Sequence, residues 1–204
     1  MHPLEAESCG YVRVIAGSAR GRRLVAPSGP GTRPTADRVK EALFSSLGEL
    51  RDAVVLDLYA GSGALAIEAL SRGAARAVLV EQDRRALEAI ERNLAATGLA
   101  GAVEVVRADV ARYCREPRGG PFDLVLVDAP YDEPQQALFA CLADLAAAGA
   151  LPEDALVVVE RDRRADDPDP PGWLARERAR SYGDTVLRYF RVSGPLPAGR
   201  QEDS

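Results

Sequence analysis

Apolar positions change their rhythm twice along the chain. From residue 53 onward, short uninterrupted apolar runs alternate with longer amphipathic stretches. The runs predict strands at 54–58, 77–80, 103–107, 122–127 and 156–159. The stretches between them predict helices at 64–72, at 83–97 (closed by Gly98), near 110–114 and at 134–148. A strand that is apolar throughout, rather than at every second position, is covered on both faces. Strands that alternate with helices pair in parallel. After Glu160 the rhythm changes. Residues 161–173 are charged and Pro-rich and read as a loop, and 174–180 and 185–192 are β-like runs joined through Tyr182-Gly183-Asp184. That junction is a hairpin signature, so the sheet is expected to end in an antiparallel pair. The predicted class is α/β, a Rossmann-like, mostly parallel sheet.

Before residue 53 the pattern differs again. Two β-like runs, 11–16 and 23–26, flank Gly17-Ser18-Ala19-Arg20-Gly21-Arg22 and predict a hairpin with a basic turn. Residues 27–34 form a Gly/Pro loop. Thr35 then caps a helix on which Val39, Ala42, Leu43, Ser46 and Leu47 recur on one face. Four segments are expected: a disordered start (1–10), a hairpin-and-helix extension (11–50), the main domain (51–193) and a flexible tail (194–204).

Composition narrows the chemistry. The 204 residues suffice for one domain with a small appendage. No apolar run is long enough for a membrane span, and the first residues lack the basic start and apolar stretch of a secretory signal, so a cytoplasmic protein is expected. Cys9, Cys114 and Cys141 lie far apart and His2 is the only histidine. Neither a metal site nor a disulfide framework is expected, and catalysis by a histidine base is disfavoured. The site must rely on carboxylates, backbone groups or a cofactor's own reactivity. The formal net charge is −5. Between residues 10 and 40, however, Arg13, Arg20, Arg22, Arg23, Arg33, Arg38 and Lys40 face Asp37 alone, a local balance of +6. A basic arm on an acidic body suggests a local polyanion contact. Arginine use is general here, since Lys40 is the only lysine.

The first strand of the alternating region ends in Asp57-Leu58-Tyr59-Ala60-Gly61-Ser62-Gly63-Ala64-Leu65-Ala66. Gly61 and Gly63 fit a nucleotide-type turn, with Glu81 near the acidic spacing expected after the next strand. A dinucleotide would place pyrophosphate near Asp57, which repels it. S-adenosylmethionine carries an amino-acid end and no phosphate, so Asp57 suits its ammonium. Glu81, followed by Gln82, suits the ribose hydroxyls, and Asp109, followed by Val110, suits the adenine amino group. Ala60, Gly61, Ser62 and Gly63 complete the expected cofactor shell. Three acids at the carboxyl ends of three successive strands lie where such sheets bind ligands.

The fourth strand ends in Asp128-Ala129-Pro130-Tyr131. This resembles the [Asp/Asn]-Pro-Pro-[Tyr/Phe] motif of amino-group methyltransferases, with Ala129 where proline is usual. A base amino group is a poor nucleophile, because its lone pair is delocalised into the ring. The Asp128 carboxylate and the Ala129 carbonyl are placed to accept its two hydrogens and turn the lone pair toward a methyl donor. Tyr131 offers a face on which an extruded base stacks. Alanine keeps the required carbonyl and loses only stiffness. Transfer to cytosine C5 is disfavoured, since it needs a cysteine that typically follows proline, and the three cysteines follow Ser8, Tyr113 and Ala140.

Arg13-Val14-Ile15-Ala16-Gly17, Arg20-Gly21-Arg22-Arg23-Leu24 and the run from Thr32-Arg33-Pro34-Thr35 to Leu43-Phe44 resemble the RsmD family, as do the cofactor loop and Tyr182-Gly183-Asp184-Thr185. These are bacterial 16S ribosomal RNA guanine-N2 methyltransferases acting on guanine 966. The resemblance covers residues 11–192. It implies a seven-stranded methyltransferase sheet with an N-terminal hairpin, and a monomer acting on a partly assembled small subunit. It further implies that Arg33, Thr35 and Arg38 border the cofactor and that Arg20, Arg22 and Arg23 touch RNA phosphates. The residues alone leave open a DNA or other-RNA amino methyltransferase acting on adenine N6, a catalytically impaired RNA-binding module, and a nicotinamide enzyme.

Overall fold

A computed structural model describes residues 11–27, 37–130 and 132–197, and among these residues there are nine strands and five α-helices. The predicted cap at Thr35, the expected disordered start and the last residues of the tail lie outside those residues. The first two strands, β1 (Tyr11–Arg13) and β2 (Arg23–Val25), pair antiparallel as a separate hairpin. Helix α1 (Asp37–Leu47) follows. The alternation then runs β3 (Val54–Leu58), α2 (Ala64–Ser71), β4 (Arg76–Glu81), α3 (Arg84–Thr97), β5 (Val103–Arg107), α4 (Val110–Arg115), β6 (Leu124–Val127), α5 (Gln135–Ala147) and β7 (Leu156–Asp162). A closing hairpin, β8 (Leu174–Tyr182) and β9 (Thr185–Val192), ends it.

The main sheet has seven strands in the order β5-β4-β3-β6-β7-β9-β8. The first five pair in parallel, and β9 runs antiparallel between β7 and β8. The order reverses between β3 and β6, which opens a crevice at the carboxyl ends of those strands.

Each apolar strand faces two ways. Leu56, Leu58, Val125 and Val127 point into a core roofed by α4 and α5, while Val55, Leu124 and Leu126 join α1, α2 and α3 on the other side. Double coverage explains why these strands read as continuous rather than alternating apolar runs.

The N-terminal hairpin belongs to the second core, through Val12, Val14 and Leu24. Its turn packs against the end of α2. Gly17 has φ +83°, and a Cβ there would stand 1.6 Å from the Ser71 carbonyl oxygen, so only glycine fits. Ser71 Oγ accepts a hydrogen bond from the Ala19 amide at 2.9 Å.

A buried polar hub locks this docking. Glu68, on α2, has no exposed surface. Its carboxylate accepts the amides of Ile15 (2.8 Å) and Ala16 (3.0 Å) and the Arg72 guanidinium (2.8 Å). Lys40 Nζ lies 3.6 Å from Glu68 and donates to the Arg13 carbonyl. Burial lowers the Lys40 pKa, against the pull of Glu68 and Asp37. Removing one partner from such a network costs roughly 3–5 kcal/mol, because the other charge stays buried and unpaired.

This hub widens the sequence-based view of α1. Val39 and Leu43 are buried and Ala42, Ser46 and Leu47 half-buried, but the buried face also takes in Lys40 and Phe44. Lys40, counted with the basic arm, is a core residue that meets a carboxylate and not solvent.

Candidate cofactor and acceptor site

The crevice holds a cavity of about 640 Å³, within the range of small-molecule sites. Its floor is the β3–α2 turn. There the chain leaves the strand through Tyr59 at φ 60°, a conformation that a non-glycine residue adopts only at a cost. Gly61 (φ 56°) and Gly63 (φ 74°) complete the turn. Gly63 allows α2 to approach the sheet, since a Cβ there would lie 2.9 Å from Leu79 Cδ2. It is not among the cavity-lining residues, whereas Ala60, Gly61 and Ser62 are.

The acids do more than sequence reasoning assigned. Asp57 lines the cavity at 1% exposure, and its Oδ2 accepts the Ala66 amide at 3.0 Å, which pins the first turn of α2. Burial raises its pKa well above the carboxylate range, opposed by the Ala66 amide and assisted by Asp128 and Glu81. Glu81 also lines the cavity and ties three backbone amides. Oε2 accepts Gly61 at 2.8 Å, while Oε1 accepts Gln82 at 2.7 Å and Asp83 at 2.8 Å. Gln82 and Val110 line the wall as well. Asp109 is exposed and caps α4 by accepting the Arg112 amide at 3.0 Å; its neighbours Ala108 and Val110, not Asp109 itself, line the cavity.

Asp128, Ala129 and Pro130 line the cavity together with Asp132. Asp128 is half-buried, Ala129 buried and Pro130 exposed. Tyr131, Arg33 and Thr35 lie outside the described residues. Arg38 is exposed on the first turn of α1 and does not line the cavity. Arg20, Arg22 and Arg23 are exposed, but the turn carrying the first two rests on the end of α2, at the sheet edge opposite the cavity.

Sequence reasoning missed three contributors. The hairpin supplies part of the cavity wall through Val12, Ala26 and Pro27. Asn93, on α3 and fully buried, bonds the Val25 amide (2.7 Å), the Val25 carbonyl (2.9 Å) and the Ser62 carbonyl (2.9 Å), so it joins hairpin to cofactor turn. Arg161, on β7, donates to the carbonyls of Pro130 and Glu133, next to the Asp128-Ala129-Pro130 wall. An asparagine inside a strongly amphipathic helix, at a position on its apolar face, was the one available signal for Asn93. Among the described residues no cluster of His, Cys, Asp and Glu could hold a metal.

Comparison with known proteins places this arrangement. A family profile described as "Conserved hypothetical protein 95" matches residues 12–191. The chain is 38% identical over 183 residues to "Ribosomal RNA small subunit methyltransferase D" of Escherichia coli K12, covering 89% of this chain and 90% of that protein. It is also 38% identical over 186 residues to "Putative rRNA methyltransferase YlbH" of Bacillus subtilis, covering 90% of this chain and all of that one. Among solved structures, "Putative methyltransferase yhhF from Escherichia coli" superposes with a TM-score of 0.77 at 37% identity, covering 91% of this chain and 100% of the other. A seven-stranded sheet with its reversal above a Gly-rich, acid-lined turn, matched over residues 12–191 by the family profile, leaves one assignment: the chain belongs to the family described as Conserved hypothetical protein 95, the RsmD methyltransferases.

Proposed function

We propose that this protein transfers a methyl group from S-adenosylmethionine to the exocyclic N2 of a guanine in small-subunit ribosomal RNA, acting in the cytoplasm on a partly assembled subunit. The observation that carries the reading is the shared cavity. Asp57 and Glu81 line it together with Asp128, Ala129 and Pro130.

The residues fit the cofactor. Asp57 meets the ammonium of its amino-acid end, Glu81 keeps a carboxylate lone pair for ribose hydroxyls beyond its three amide partners, and Val80, Ala108 and Val110 give an apolar wall for a purine. The bound cofactor supplies a methyl carbon activated by its sulfonium. The protein's work is then positioning, which supplies much of the acceleration in such a transfer. Asp128 and the Ala129 carbonyl accept the two amino hydrogens of an extruded base, and Asp128 is the base at hand for the proton that the nitrogen sheds. Tyr131 closes the acceptor face by stacking. Arg20, Arg22 and Arg23 hold phosphates away from the reacting centre.

Replacing Asp128 with Ala is expected to lower methyl transfer to small subunits by at least about 100-fold, with cofactor affinity changed less than ~3-fold. Labelled cofactor, particles from a strain lacking the corresponding enzyme and nucleoside mass spectrometry provide the measurement. Turnover comparable to wild type in Asp128→Ala refutes the role of the loop. Label on adenine rather than guanine refutes the N2 assignment alone.

A further inference from the structure

The acceptor loop departs from the Asp-Pro-Pro pattern at Ala129, and a side chain from β7 bonds backbone carbonyls just after it. Arg161 lies near the carboxyl end of β7, two residues beyond the last parallel pair of β6 and β7, Val127–Val159. It is only 4% exposed. Its guanidinium donates from Nη1 to the Pro130 carbonyl at 3.2 Å and from Nη2 to the Glu133 carbonyl at 2.6 Å. These two carbonyls bracket positions 131 and 132. The Pro130 carbonyl also accepts the Glu133 amide at 3.0 Å, so one oxygen is held by both a backbone amide and the guanidinium.

The backbone freedom of the loop can be followed torsion by torsion. Pro130 fixes its own φ and confines Ala129 to extended backbone. A proline at 129 would also fix φ there, whereas alanine leaves that angle the wider range of extended backbone. The carbonyl that must accept an amino hydrogen belongs to residue 129, so this freedom falls on a reacting group. Arg161 restrains the segment from the other end, because two charge-assisted bonds fix the Pro130 and Glu133 peptide planes. A guanidinium suits this task, since its planar fork holds two acceptors at once, and an ammonium on a flexible stem does not.

We propose that Arg161 is a positioning residue that takes over the stiffening role of the proline missing at position 129, holding the acceptor loop in its transfer geometry. This rests on the reading of the 128–131 loop as the acceptor site.

The test is a double-mutant cycle on the full-length protein, with labelled S-adenosylmethionine and small-subunit particles as substrates. Arg161→Met keeps the stem and removes the donors. It is expected to lower kcat about 10-fold, with the cofactor KM changed less than ~2-fold. In an Ala129→Pro background the same substitution is expected to cost less than ~3-fold, because the ring restores the restraint. Equal losses in the two backgrounds overturn the proposal, as does a kcat unaffected by Arg161→Met or a parallel rise in the cofactor KM. If Arg161→Met does not fold by circular dichroism, Arg161→Lys enters the same cycle and is read by the same criterion, with a smaller loss expected. Asp128→Ala separates the two layers. An active Asp128→Ala removes the acceptor reading and the proposal together, whereas an inactive one beside a fully active Arg161→Met removes the proposal alone.

Discussion

At the scale of single residues, Asp57 carries two conflicting duties. It anchors the start of α2 through the Ala66 amide, and it presents a carboxyl to the cavity. Its folded-state pKa is raised by burial. A carboxyl whose folded pKa exceeds its unfolded value is protonated preferentially in the folded state. The empty protein therefore loses stability as pH rises from the unfolded value toward the folded one, and the deficit persists above that window. A bound ammonium reverses the preference. Cofactor affinity is expected to increase as pH rises through the Asp57 pKa, with a proton released on binding below it. Asp57→Asn keeps an acceptor for Ala66 and discards the charge. We expect it to raise the melting temperature of the ligand-free protein at pH 8, to weaken cofactor binding on the order of 10-fold or more, and to abolish the proton release. Melting curves and calorimetry in two buffers of different ionisation enthalpy provide the check. Proton uptake or release that matches wild type in Asp57→Asn would show that another group titrates.

At the scale of elements, the strands and helices of the main sheet were legible because their signal is local. A doubly covered strand such as 54–58 or 124–127 declares itself within five residues, and the β8–β9 turn does so at Gly183. The cavity positions of Asp57 and Glu81 were legible for the same reason, since both lie at the carboxyl ends of strands, whereas Asp109 is the exposed cap of α4 and does not line the cavity. What was hidden depends on partners far away in sequence. The bonds of Glu68 to the hairpin span more than 50 residues, that of Asn93 to Val25 spans 68, and those of Arg161 to the acceptor loop about 30. Charge counting placed Lys40 on a solvent-facing arm, because composition carries no information about which cation meets a buried carboxylate. The hairpin shows the consequence. Its strands reach the cavity wall, while its turn lies at the far end of α2, an eight-residue helix of about 12 Å. RNA that fills the acceptor site and touches Arg20 or Arg22 must extend at least that far across the protein. Replacing Arg20, Arg22 and Arg23 with Ala is expected to reduce the slope of log affinity against log salt by about 2, with turnover of bound substrate little changed. Filter binding across a salt series measures it, and an unchanged slope removes the hairpin from the RNA footprint.

At the scale of the whole molecule, two cores flank one sheet, and the segment before residue 50 is built into one of them rather than appended to it. The expected division at residue 50 marks a change of sequence pattern and not a gap in packing. Through Val12, Ala26 and Pro27 the same segment walls the cavity, and through Asn93 it holds the cofactor turn. The cavity and the docked hairpin are thus joined by hydrogen bonds as well as by proximity. Lys40 gives this union a practical handle. The chain has one lysine, and it has no exposed surface. An amine-acylating reagent meets that nitrogen only when α1 and the hairpin lift off Glu68, so its rate of modification clocks the undocking of the arm. Acylation should run at least about 100-fold slower than in denaturant and slow further when cofactor is added. The readout is a tryptic peptide that loses its cleavage site after Lys40. With no second lysine to blur the signal, the protein carries a built-in, single-site gauge of whether its arm is seated.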